Sequence, residues 1–98
     1  MEVSWSDDAW EQFTSVLDYW DSRNYSNRYS MTLSDNVLSY IEMILDNPFA
    51  GRQSEYGDTR SIAVEHYSII YKVLPNQIRI VAFWDGRQNP DKLINIMN

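Results

Sequence analysis

Between Leu45 and Arg60 the hydrophobic period of this 98-residue chain changes from that of a helix to that of a strand. Ahead of the change, Ala9, Trp10, Phe13, Val16, Leu17 and Trp20 recur every three or four residues, and so do Tyr29, Leu33, Val37, Tyr40, Ile41, Ile44 and Leu45. That spacing gathers each set on one face of a helix. After the change, the runs "RSIAVEHY", "YSIIYKVL" and "QIRIVAFW" alternate along the chain as half-buried strands do. Neither element type can bury its apolar side alone, so the pattern demands helices packed against a sheet, an α+β arrangement.

The punctuation between these runs sets the connections. Val3 and Trp5 alternate with Glu2 and Ser4 as a short strand, and Ser6 then reads as a helix N-cap followed by Asp7 and Asp8. Carboxylates there suit the positive end of the helix dipole. The polar link "DSRNYSN" is short enough to make the two helices an antiparallel hairpin, and Asn47, Pro48 and Gly51 stop the second. The stretch "FAGRQSEYGDT" has turn composition and reads as a loop, while Pro75 and Asn76 make a tight hairpin between the last two strands. Residues 1–98 thus read as one domain, an N-terminal strand and an antiparallel helix hairpin on one face of a small, mainly antiparallel sheet. Simple alternation puts Ile78, Ile80, Ala82 and Trp84 on the covered face. It leaves Ile70, Lys72, Arg79, Val81 and Phe83 on the other, a mixed surface suited to binding.

Charge narrows the function. Fourteen acidic residues against eight basic ones give a formal charge of −6, whereas nucleic-acid-binding domains carry a basic face that displaces phosphate counterions. Nonspecific binding to DNA or RNA is therefore not expected. The balance is uneven along the chain: Arg52, Arg60, Lys72, Arg79, Arg87 and Lys92 all lie after residue 50, and only Arg23 and Arg28 precede it. The absence of cysteine excludes a disulfide framework, a thiol nucleophile and a thiolate metal site. No export signal or membrane-length apolar run appears, so the cytoplasm is the expected location.

Five stretches, "VSWSDDAWEQF", "ILDNPFAG", the arginine of "TRSI", the tyrosine pair of "YSIIYKV" and the closing "IRIVAFWDGRQNP", occur in an order and spacing that resembles the RelE/ParE superfamily of bacterial toxins from type II toxin–antitoxin modules. The likeness runs over roughly residues 2 to 93. It implies the α+β fold just read and a cognate antitoxin as partner. It also implies one of two activities. RelE-like proteins cut mRNA on the ribosome, which needs cations for the developing phosphorane charge and groups to move protons. ParE-like proteins poison DNA gyrase through protein contacts.

Set against the nuclease pattern, this sequence departs at most positions. The residue after the first tyrosine of the Tyr67/Tyr71 pair, typically an arginine, is Ser68. The lysine pair usual in the preceding strand is replaced by Arg60 alone, and the tyrosine expected six residues after Arg87 is Leu93. Removing one preorganised charge-stabilising donor costs about 10² to 10³ in rate, so the expectation is a ParE-like toxin. The alternatives are a RelE-like endoribonuclease resting on Arg60 and Arg87, and a decayed toxin fold that binds only its antitoxin.

Arg60, Arg79, Phe83, Trp84, Arg87 and Lys92 are the expected contacts for target or antitoxin, with partner carboxylates directed to Arg60, Arg79 and Arg87. Each has a plainer reading. Arg60 and Arg87 equally suit anchoring of their own loops, and Trp10 and Trp20 suit the core. His66 suits a turn better than a general base, and Asp7, Asp8 and Glu11 suit helix capping better than metal ligation. No cofactor or metal is expected.

Overall fold

The computed structural model describes residues 1–86, and Arg87, Lys92 and Leu93 lie outside them. The elements follow in the order β1 (Glu2–Trp5), α1 (Asp7–Asn24), α2 (Arg28–Asp46), β2 (Arg52–Gln53), β3 (Arg60–Val64), β4 (Tyr67–Leu74) and β5 (Gln77–Asp85). One five-stranded sheet has the order β1-β5-β4-β3-β2. All neighbours are antiparallel except β1 and β5, which run parallel, with Val3 opposite Ile78 and Trp5 opposite Ile80.

Local chemistry explains the element ends. The Ser6 hydroxyl accepts from the Ala9 amide at 3.0 Å and caps α1, a contact worth about 0.5–2 kcal/mol. At its other end α1 stops on Tyr25, which sits in the left-handed region at φ 50 and is almost wholly exposed. A side chain there costs roughly 1–2 kcal/mol that glycine avoids. Tyr25→Gly is therefore expected to stabilise the fold by about 0.5–1 kcal/mol, read as a higher urea midpoint at unchanged slope. An unchanged or lower midpoint would show that the tyrosine conformation carries no such penalty. The stretch read as a loop after α2 contains the two-residue β2, which pairs Arg52 with Ser61 and Gln53 with Arg60. Two residues are too few for alternation to show in a sequence.

Both helices lie on the same side of the sheet. Ala9 and Phe13 of α1 and Leu33, Val37, Ile41 and Ile44 of α2 form one core with Val64, Tyr67, Ile69, Tyr71, Ile78, Ile80 and Phe83. Two expected core positions differ: Trp10 is half exposed, its ring edge-on to Trp5 at 5.4 Å, and Tyr40 faces outward. Trp10 belongs to the flank of α1, where an indole shields a neighbour while staying wet.

The larger correction is in β5. Ile70 pairs with Ala82, but the next residue of β4, Tyr71, pairs with Ile80, so β5 carries an extra residue at a bulge. A bulge shifts the alternation by one and exchanges the faces beyond it. Ile78 and Ile80 face the helices as expected. Beyond them it is Phe83 that turns into the main core, while Ala82 and Trp84 join Ile70 in a second cluster on the opposite face, with Val81 and Tyr56 against it. Phe83 is therefore buried on the helix side, 2% exposed, and not on the open face where simple alternation puts it.

Candidate functional site

β1 borders β5 only from Gln77 to Ile80. At Ser6 the chain turns away into α1, its amide still donating to the Ile80 carbonyl at 2.9 Å. From Val81 to Asp85 that edge of β5 therefore has no strand beside it among the described residues, and α1 runs alongside instead. The Phe83 amide donates to Oε1 of Gln12 at 2.8 Å, so a helix side chain supplies an acceptor a neighbouring strand would otherwise provide. Further out, helix and strand part to leave a groove of about 730 Å³. Asp8, Glu11, Gln12, Ser15, Val16 and Tyr19 line it from α1; Tyr67, Phe83, Trp84 and Asp85 line it from the sheet.

The floor and rim differ in chemistry. Tyr67 and Phe83 are buried beneath it, stacked at 5.1 Å, and the Tyr67 hydroxyl accepts from the Trp20 indole at 2.8 Å. Carboxylates of Asp8, Glu11 and Asp85 stand on both sides, and among the described residues the groove lining includes no lysine or arginine. Sequence reading took Asp7, Asp8 and Glu11 as capping residues. No signal in the sequence placed Asp8 and Glu11 opposite Asp85, because that juxtaposition depends on β1 ending at Trp5.

Arg60 and Arg79, expected to share one surface, do not meet. Arg60 lies directly opposite Tyr71 in the β3–β4 ladder and so shares its helix-side face. Its guanidinium donates to the Gly51 carbonyl at 2.9 Å and the Phe49 carbonyl at 3.4 Å, and sits 5.0 Å from the centre of the Phe49 ring. The Tyr71 hydroxyl completes this clasp, accepting from the Gly51 amide and donating to the Pro48 carbonyl, both at 2.9 Å. Burial pushes the Tyr71 hydroxyl above the usual tyrosine pKa, against the smaller opposing effects of the Gly51 amide and the Arg60 charge. Arg60 thus fastens the link from α2 to β2. Arg79 projects from the other face of the sheet, next to Lys72, and donates to Ser4 Oγ at 3.2 Å.

Trp84 is the expected contact residue that borders the groove in addition to the buried Phe83, and it lies five strand positions from Arg79, roughly 17 Å away. His66 occupies the exposed β3–β4 turn, where its carbonyl accepts from the Gly86 amide at 3.0 Å. Among the described residues no group of three or more histidine, cysteine or acidic side chains is arranged to hold a metal ion, and no helix is long and apolar enough to cross a membrane.

Comparison with known proteins agrees with this architecture. The family model described as the ParE toxin of the type II toxin–antitoxin system, parDE, matches residues 3–90. A solved structure of the chromosomal ParDE toxin–antitoxin system from P. aeruginosa superimposes with a TM-score of 0.73, covering 87% of this chain and 95% of that one at 18% identity. None of the curated proteins matches the sequence.

Proposed function

The chain belongs to the ParE toxin family of type II toxin–antitoxin systems, and on that premise we propose that it acts by binding a cellular target, DNA gyrase first among the candidates, and is neutralised by a cognate antitoxin. The observation that carries this reading over a nuclease is the placement of the cations. Arg60, the one cation the sequence offered on the strand before the tyrosine pair, spends its hydrogen bonds on the carbonyls of Phe49 and Gly51. Ser68 stands where the nuclease pattern carries arginine. A phosphorane needs preorganised positive donors aimed at one point, and Arg60, one of the two cations of the nuclease alternative, is turned onto the protein's own backbone.

Purified protein is expected to inhibit supercoiling by gyrase and to leave mRNA uncut on translating ribosomes. A discrete set of A-site cuts, lost on Arg87→Ala, would overturn this and favour the RelE-like alternative. Silence in both assays, with antitoxin binding intact, would favour a fold retained only for its antitoxin.

A further inference from the structure

We propose that the outer cleft between α1 and α2 is the docking site for an amphipathic helix of the cognate antitoxin, one whose apolar stripe is bordered by lysine or arginine. The inference rests on the toxin–antitoxin reading above and deepens it by naming the surface and the partner's chemistry. The antitoxin is the partner that membership of this family implies.

The apolar part of this surface lies on one side of the helix pair. A cleft of about 390 Å³ is lined by Leu17, Asp18 and Asp21 from α1 and by Met31, Ser34 and Asp35 from α2. Trp10 precedes Leu17 by seven residues and Leu38 follows Met31 by seven, so two helical turns return each to the cleft side of its own helix. The three-residue link between the helices folds α2 back along α1, so both steps lead the same way and extend the stripe by about 10 Å. Trp10, Met31 and Leu38 are 52%, 59% and 57% exposed. Their apolar surface is open to a partner.

Charge decides among occupants. Asp18 and Asp35 are exposed and have no ion-pair partner among the described residues, while Asp21 accepts from the Ser30 hydroxyl. Among the described residues no lysine or arginine lines the cleft. A second copy of this chain, laid on the same face, would set these carboxylates against an identical set, and like-charge juxtaposition across an interface is strongly disfavoured. A helix with cations beside its apolar stripe meets both demands. Its apolar side chains cover Trp10, Leu17, Met31 and Leu38, where most of the affinity arises, and its cations face Asp18 and Asp35. This polarity differs from the carboxylate-bearing partner expected at Arg60, Arg79 and Arg87, and Arg60 is already held by the Phe49 and Gly51 carbonyls.

The test uses the full chain and the antitoxin protein encoded in the neighbouring reading frame, titrated calorimetrically. Leu38→Asp is expected to weaken the dissociation constant by at least about tenfold, since it removes an apolar contact and sets a charge against an apolar partner. Met43→Asp, also exposed on α2 but turned away from the cleft by five residues of helix, is expected to change it by less than about twofold. Asp35→Lys is expected to weaken binding by at least about fivefold. Glu55→Lys, a reversal of equal size in the exposed connection between β2 and β3, is expected to have almost no effect, as remote surface charges contribute little. Thermal melts of each variant separate lost binding from lost folding. With antitoxin lysines and arginines changed to glutamate one at a time, one change is expected to restore affinity for Asp35→Lys.

Equal affinity of the Leu38→Asp and unaltered chains overturns the placement while leaving the antitoxin reading intact. So does a Leu38→Asp chain that keeps its antitoxin affinity and loses inhibition of gyrase, which assigns the surface to the target. A concentration-dependent dimer abolished by Leu38→Asp assigns it to a second copy and also overturns it. A fluorophore on Ser34→Cys, in a chain without native cysteine, is expected to respond when antitoxin is added. A label shielded beforehand and released by deleting residues 87–98 gives the cleft to the chain's own tail, against the proposal. No binding to the unaltered chain overturns the antitoxin reading itself, and the docking site with it.

Discussion

Phe83→Ala is expected to lower stability by about 3–5 kcal/mol, the range for removing a buried phenylalanine. The ring is 2% exposed and is held between Tyr67, stacked at 5.1 Å, and Phe13, edge-on at 5.1 Å. It bridges the last strand to the first helix, and its loss leaves a void that two fixed elements cannot close. The measurement is urea denaturation followed by tryptophan fluorescence. Val81→Ala, on the opposite face and half-buried, serves as reference and is expected to cost less than about 1.5 kcal/mol, as mild truncations do. A Phe83→Ala loss below about 1 kcal/mol would mean that β5 keeps simple alternation and has no bulge.

Gly51→Ala is expected to destabilise by roughly 2–4 kcal/mol, for a reason unrelated to glycine's backbone freedom. A Cβ at this buried position would overlap the Tyr71 hydroxyl and crowd its ring carbons. Relief requires Tyr71 to move, which breaks its bonds to the Gly51 amide and the Pro48 carbonyl. Tyr71→Phe alone leaves both partners short of a hydrogen bond and is expected to cost about 1–3 kcal/mol. Because the two sites share one contact, the double variant should be less destabilised than the sum of the singles, with a coupling of about 0.5–3 kcal/mol. Strict additivity would show that the clash is absorbed elsewhere.

The same hydroxyl makes a pH prediction. Its folded pKa lies above the unfolded value of about 10, so the unfolded chain releases the proton first. This contribution to stability is complete below about pH 10 and is lost as pH rises through the folded value. Tyr71→Phe should flatten that alkaline decline, and an identical slope in both proteins would exclude Tyr71 as its source.

What could be read from the sequence and what could not divides along physical lines. The helices were legible because seven apolar positions in α2 repeat over nearly five turns, a signal that averages over single exceptions such as Tyr40. Ser6 was legible because a capping hydroxyl acts within three residues. β5 was legible as a strand but not in its facing, since its last apolar run, Ile80, Val81, Ala82, Phe83 and Trp84, offers an apolar residue at every position and alternation has nothing to distinguish. Arg60 was found as a residue of consequence, yet its partners, the Phe49 and Gly51 carbonyls, are backbone groups that no pattern of side chains announces. The groove was missed for a similar reason: Gln12 and Glu11 look like ordinary exposed helix residues until the parallel pairing of β1 with β5 sets α1 beside an unpaired edge.

That parallel pairing also orders events in time. Among the described residues, Glu2–Trp5 finds its strand partner only in Gln77–Ile80, some 75 residues later in synthesis. While a nascent chain emerges, α1 can pack on α2 and β3 can pair with β4, but the strand made first must wait for the strand made last. Closing so long a loop is entropically costly and slows folding, and no local contact can substitute for it. A chain halted after Leu74 therefore loses two strands of its sheet, since β1 is left with nothing to join. The groove, which exists only where β5 outruns β1, is accordingly the last surface of the molecule to take shape.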